Sequence, residues 1–206
     1  MKANVHFFSQ KDSIKPQIDR EKLGQRGRQA NEFAELGFPI LPGFIIDSDA
    51  ASRLTDQDIV GAVKPLMKRI ETIAEKGFGD ATEPLLVKIV ISPNLAISNY
   101  PTLHNFGLTK GTVAGFNKYV GEKFGAHEVA FLARGMLKIE ERIAELEGRD
   151  KDLKKIAARI GEASAILDSD KPGASASAIM DSLGDCLPQG FFDNAWTQVQ
   201  GLAQRA

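Results

Sequence analysis

The chain has one cysteine, Cys186, in 206 residues, so no internal disulfide can form and cysteine usage fits a reducing compartment. Histidine is nearly as scarce. His6, His104 and His127 stand far apart, and with one thiol they do not form a zinc cluster of ordinary ligand spacing. Charge of one sign is missing too: the formal net charge is −1, which gives no electrostatic reason for nucleic acid or an anionic membrane surface as a partner. No apolar run approaches membrane length. The longest, Leu85 to Ile91, is broken by Lys88, and residues 1–20 lack the apolar core of a signal peptide. G-x-S-x-G, H-E-x-x-H, G-x-x-x-x-G-K-[ST] and G-x-G-x-x-G are absent, and no internal repeat is visible. These absences lead to the expectation of a soluble, cytoplasmic protein with no metal centre, no membrane association and no nucleic-acid partner.

What is present is ordinary globular composition, 43% hydrophobic and 26% charged, organised around residues 22–47. Ala30, Phe33, Ala34 and Leu36 recur at helical spacing and predict an apolar helix side over Gly27–Leu36. Gly37 stands where a left-handed terminator is needed, Phe38 follows as the apolar residue after it, and Pro39 forbids continuation. Pro42-Gly43 makes a second turn before a short strand, Phe44–Asp47. Gly24 and Gly27, interleaved with Arg26 and Arg28, open the helix. N–H groups at a helix start, the positive end of the dipole and an arginine fork together suit a phosphate. By pattern alone, G-x-x-G with basic residues is more often a solvated helix start.

Further strands are expected at Asn4–Phe8 and Leu85–Ile91, the latter central because its apolar residues are nearly continuous. All three strands are expected in one sheet. Ser48 is placed to cap a short helix, and Thr55 with Asp58 forms a variant capping box ahead of a longer helix that Pro65 must kink or divide. A helix from about Lys110 to Phe124 should stop at Gly125. The second half changes character: Val129, Leu132, Met136, Ile139, Ile143 and Leu146 alternate at spacings of three and four, and the register continues through Leu153, Ile160 and Leu167. Two arrangements fit this 129–167 seam. Gly148-Arg149-Asp150 can turn an antiparallel hairpin with Asp150 as N-cap, or one long helix can recruit a protein partner or a second copy as a homodimer. The hairpin is favoured. Residues 168–177 form a small-residue linker, and a final amphipathic helix, capped by Asp193, is docked by the only tryptophan, Trp196. Cys186 has the surroundings of a small buried residue and not of a nucleophile. The fold class is therefore α+β, with residues 1–125 as a first part and 126–206 as a helical second part.

The order of residues in the organising stretch resembles the opening of pyruvate phosphate dikinases and phosphoenolpyruvate synthases, whose N-terminal nucleotide-binding domain begins G-G-K-G-A-N-L-A-E-M and then L-G-L-P-V-P-P-G-F. The match runs from Gly24 to Phe44 without a gap and puts Arg26 where the family has its phosphate-contacting lysine. Glu83-Pro84-Leu85-Leu86-Val87 is similar to the family's N-P-L-L-V, and Asn105-Phe106-Gly107-Leu108 to its N-L-G-L. The resemblance covers about residues 3 to 135 and is nearest to the dikinase branch. Between the last two blocks the family's phosphate-binding arginine falls on Val90. Lys88, two residues earlier, shares its strand face and supplies a point charge there.

The resemblance implies an ATP-grasp-like N-terminal subdomain, a small sheet with packed helices, that binds ATP with magnesium through Gly24, Arg26, Gly27 and Lys88. It assigns no catalytic residue to this chain. The family reaction converts ATP, phosphate and pyruvate to AMP, pyrophosphate and phosphoenolpyruvate, and also needs a phosphohistidine domain and a pyruvate-binding barrel. Full dikinase turnover by these 206 residues is not expected. The alternative is a non-catalytic binding or regulatory module that keeps the fold and has lost the nucleotide site.

Overall fold

The computed structural model describes residues 5–13, 19–51, 56–90, 101–169 and 173–203, with the side chains of residues 20 and 56–58 left aside. It is an α+β chain in two compact units, Met1–Glu75 with Val90–Asn99, and Lys76–Ile89 with Tyr100–Arg205.

In the first unit β1 (Val5–Phe8) pairs antiparallel with β2 (Gly43–Ile46), Val5 opposite Ile46 and Phe8 opposite Gly43. A short 3-10 turn, Arg20–Leu23, leads into α1 (Gly24–Glu35). This helix buries Gly24, Gly27, Asn31 and Ala34, whereas Phe33 and Leu36 face solvent, so of the apolar side expected from Ala30, Phe33, Ala34 and Leu36 only Ala34 is fully buried, and the packed side is turned toward the glycines. The reason is steric. A Cβ at Gly27 would lie 3.0 Å from Ile45 Cδ1, and only a small residue lets α1 come this close to β2.

The helix ends as expected. Gly37 takes φ +73, its N–H donates to Ala34 O at 3.1 Å, and the Phe38 N–H donates to Phe33 O at 3.0 Å, the paired bonds of a Schellman motif. The short helix α2 (Ser48–Ala51) is capped by Asp47 instead of Ser48: Asp47 Oδ1 accepts from the Ala50 N–H at 2.8 Å. Helix α3 (Asp56–Ala74) runs through Pro65 undivided, and its Arg69 lies 3.7 Å from the centre of the buried Phe7 ring. Thr55 and the Asp58 side chain, the expected capping box, lie outside the described residues.

In the second unit β3 is only Val87–Ile89, paired antiparallel with β4 (Leu103–Phe106). Among the described residues, the three expected strands thus do not form one sheet; β1–β2 and β3–β4 are separate two-stranded sheets, and β3 is not central there. Its apolar run is long because Leu85 is buried outside the strand, where its N–H donates to Gly77 O at 2.8 Å. Residues 91–100, with most of the loop in which the sequence departs from the dikinase pattern, lie outside the described residues.

The helix expected over 110–124 is two. Helix α4 (Val113–Val120) breaks at Gly121, and α5 (Glu122–Leu146) continues through Gly125. The hairpin is formed: α5 turns back at Gly148 into α6 (Asp150–Leu167), whose N-cap is Arg149 instead of Asp150. Val129, Leu132, Met136 and Ile139 are buried on α5, and Ile156 and Ala163 on α6.

Helix α7 (Ala176–Leu183) starts inside the expected linker, with Ser175 Oγ accepting from the Ala178 N–H at 3.3 Å. The last helix, α8 (Ala195–Ala203), is capped by Asn194 and not by Asp193: Asn194 Oδ1 accepts from the Trp196 N–H at 2.7 Å. Trp196 meets Phe78 edge to face at 5.1 Å and docks the helix as expected. Among the described residues, no helix is long and apolar enough to cross a membrane.

Candidate functional site

The start of α1 is built by the turn before it. Asp19 accepts from the Glu21 N–H at 3.1 Å and opens the 3-10 turn, which closes when the Gly24 N–H donates to Glu21 O. Gly24 there has φ +68, a conformation that side chains with a Cβ rarely adopt, so the first glycine of the G-x-x-G is demanded by the backbone. Leu23 is the N-cap and makes no side-chain capping bond, and the first turn holds no acidic residue. A helix start leaves its first N–H groups outside the i to i−4 ladder and carries the positive end of the dipole. Here no carboxylate of the helix's own first turn offsets that field, and exposed Arg26 and Arg28 add to it. Such a start can attract an anion.

Beside it, two pairs of charged or polar side chains are in contact. Lys22 Nζ lies 2.5 Å from Asp49 Oδ2, and this hydrogen bond, with the carboxylate charge, raises the lysine's pKa. Buried Asp47 has its second oxygen 3.2 Å from His6 Nε2, so it ties α2 to β1. Gly24, Arg26 and Gly27 therefore share one turn of helix in the first unit, whereas exposed Lys88 lies on β3 in the second. Gly27 has a packing duty against Ile45, independent of any ligand. Among the described residues, no three His, Cys, Asp or Glu side chains come together to hold a metal ion.

Sequence reasoning missed a buried polar clamp in the second unit. Gln198, fully buried on α8, accepts from the Gly107 N–H at 2.7 Å and donates to Leu108 O at 2.9 Å. Thr112 Oγ1 accepts from the Thr109 N–H and donates to Gly107 O, both at 2.8 Å. Asn105, at φ +60, donates to Glu128 on α5. The Asn105–Leu108 block is thus fixed from three sides. The available signal was Gln198 itself, a polar residue three after Ala195 and four before Leu202, on the face α8 buries. Cys186 is half-buried, and burial pushes its thiol pKa up, away from nucleophile chemistry.

No protein-family model matches the chain. It is 41% identical over 197 residues to the pyruvate, phosphate dikinase of Treponema pallidum (strain Nichols), which covers 96% of this chain and 22% of that protein. It is 28% identical over 116 residues to the pyruvate, phosphate dikinase of Clostridium symbiosum, covering 53% of this chain and 13% of that one. The chain therefore spans no more than about a fifth of the curated relatives it matches. The first of these matches extends the resemblance well past residue 135, into the helical second half. With the glycine-punctuated helix start and the Asn105–Leu108 block in the order the family has them, the chain is a partial, N-terminal-type homologue of pyruvate, phosphate dikinase.

Proposed function

We propose that this chain is the phosphate-gripping portion of a dikinase-type ATP-binding region, of ATP-grasp-like ancestry, and that it does not complete the dikinase reaction by itself. The observation that carries the reading is the start of α1, a helix without a side-chain cap or first-turn acid; the resemblance puts Arg26 where the family has its phosphate-contacting lysine. An arginine fork can take two phosphate oxygens in parallel, so the exchange from lysine keeps the charge and changes the geometry. Lys88 is proposed as a second, point-charge contact. Magnesium, when present, would enter with the nucleotide phosphates, the usual way this ion is held beside a phosphate-bearing substrate. Titration calorimetry with ATP, AMP, pyrophosphate and phosphate, with and without magnesium, tests this. Binding of a phosphate-bearing ligand is expected, and Arg26→Ala should weaken it by about tenfold or more, a charge-assisted hydrogen bond being worth about 1.5–3 kcal/mol. Affinity that survives the substitution would show that the phosphate grip lies elsewhere.

A further inference from the structure

Strand β4 carries a bulge. Val87 pairs with Phe106 and Ile89 with Leu103, so the one residue between them on β3, Lys88, stands opposite two on β4, His104 and Asn105. The Asn105 backbone turns left-handed there, at φ +60. A left-handed bulge residue is ordinarily a glycine. An asparagine in that conformation is strained, and its surroundings must hold it there.

The hold comes from α5. Asn105 Nδ2 donates to Glu128 Oε2, and the other oxygen of that carboxylate lies 3.7 Å from His127 Nδ1. His127 Nε2 in turn donates to Leu167 O, at the end of α6, at 3.2 Å. The His104 ring lies 5.4 Å from that of Phe131, one helical turn beyond Glu128. In a regular strand adjacent side chains leave on opposite sides. Here His104 and Asn105 both meet α5, so the bulge is clamped to the helix by both of its residues. A fold role alone would not call for asparagine. Glycine takes a positive φ without strain, as Gly107 does two residues on at φ +107. What asparagine adds is a side chain tied to Glu128.

Lys88 faces this clamp across the ladder, and it is exposed. A lysine is a point charge on a flexible stem, so the direction in which it leaves the strand decides what its ammonium can reach. Bulges increase the local twist and re-aim a side chain.

We propose that Asn105 and Glu128 are positioning residues for Lys88: the bulge that their hydrogen bond holds in place aims the lysine ammonium at a phosphate group of the ligand. The proposal rests on the reading of Lys88 as a phosphate contact and adds what directs it. Neither Asn105 nor Glu128 touches the phosphate.

Titration calorimetry of the full chain with pyrophosphate is the test. Lys88→Ala should weaken binding by about threefold, the scale of one exposed ion pair. Glu128→Ala and Asn105→Gly should each weaken it as much, and Lys88→Ala/Glu128→Ala no further than Lys88→Ala alone. Glu128→Gln should bind as wild type, since its amide oxygen still accepts from Asn105. A merely structural Glu128 would add its loss to that of Lys88→Ala, so a fully additive double variant overturns the proposal. Glycine adopts this φ without strain, so Asn105→Gly keeps the fold and stands in if Glu128→Ala does not. Wild-type affinity in Asn105→Gly beside a weakened Lys88→Ala also overturns the proposal, and leaves Lys88 as a phosphate contact without these aids. Wild-type affinity in Lys88→Ala overturns it too, and if Arg26→Ala still weakens binding the grip at α1 survives. Absence of pyrophosphate binding by wild type removes the phosphate reading itself, and with it anything for Lys88 to be aimed at.

Discussion

Gly27 is where two duties of one residue type can be told apart. A glycine at a helix start suits close approach of a phosphate, but here its missing Cβ is also what admits Ile45. Gly27→Val is expected to destabilise the first unit by about 1–3 kcal/mol, the usual cost of overpacking, measured by hydrogen exchange of the β1 and β2 amides. Unchanged protection would mean that α1 shifts freely and that the packing role is minor. A second residue, Asp185, is set by charge. Arg159 hydrogen-bonds it at 2.9 and 3.0 Å and Lys155 adds a contact at 3.0 Å, and the arginine above all holds its carboxyl well below the usual carboxylate range. A depressed acid contributes stability above its unfolded pKa and loses it as the pH falls toward the folded value. The difference in melting temperature between wild type and Asp185→Asn should therefore be full at neutral pH and narrow below about pH 4. A gap independent of pH would assign the effect to packing instead. The arginine residues of the helix start were legible because charge and glycine spacing are local properties. The Asp185 clasp was not, because it joins residues 26 apart in sequence.

At the scale of elements, the C-terminal end of α1 was read to within a residue, but its start lies three residues earlier than expected and the helix expected over 110–124 is two; the capping errors share a cause. Asp47 and Asn194 take capping positions that Ser48 and Asp193 were equally suited to by type, and Arg149 takes the N-cap of α6 without a side-chain capping bond. The choice between neighbours depends on where the helix axis enters its unit, and sequence does not fix that. The β3 strand shows the same limit. Apolar continuity marked Leu85–Ile91 as buried, but burial can be met by a loop as well as by a ladder, and Leu85 takes the loop. The tie between α8 and the Gly107 turn is an element-scale device with a measurable cost. Gln198→Leu leaves the Gly107 N–H and Leu108 C=O without their partner, at about 1–3 kcal/mol for each buried group. Chemical denaturation followed by Trp196 fluorescence should show the second unit weakened accordingly. A loss below about 0.5 kcal/mol would mean that other groups or water replace the amide.

At the scale of the whole molecule, we propose that these 206 residues do not carry out the dikinase reaction alone. Phosphoryl transfer relies on several positive groups set around the transferring oxygens, and removing one such donor costs on the order of a hundredfold or more in rate. On the resemblance, the family's strand arginine falls on Val90, and Lys88 is proposed to restore charge without the bidentate geometry. A coupled assay with the purified chain, ATP, phosphate, pyruvate and magnesium should yield no AMP above a no-enzyme control. AMP production abolished by Arg26→Ala would show a live site and refute this expectation.

The sequence by itself determined the ancestry, the α+β class and the helix-terminating Gly37-Phe38-Pro39, and favoured the hairpin of α5 and α6 over one long helix. Each of these is written in near neighbours: ordered motifs, 3.5-residue periodicity, residues that demand or forbid a dihedral angle. Only the tertiary structure decided that the strands divide into two sheets, that α1 packs by its glycine side and displays its phenylalanine, and that Gln198 locks a turn 91 residues away. Those outcomes depend on which surfaces reach each other once the chain is folded, and a residue's own side chain does not specify its distant partner.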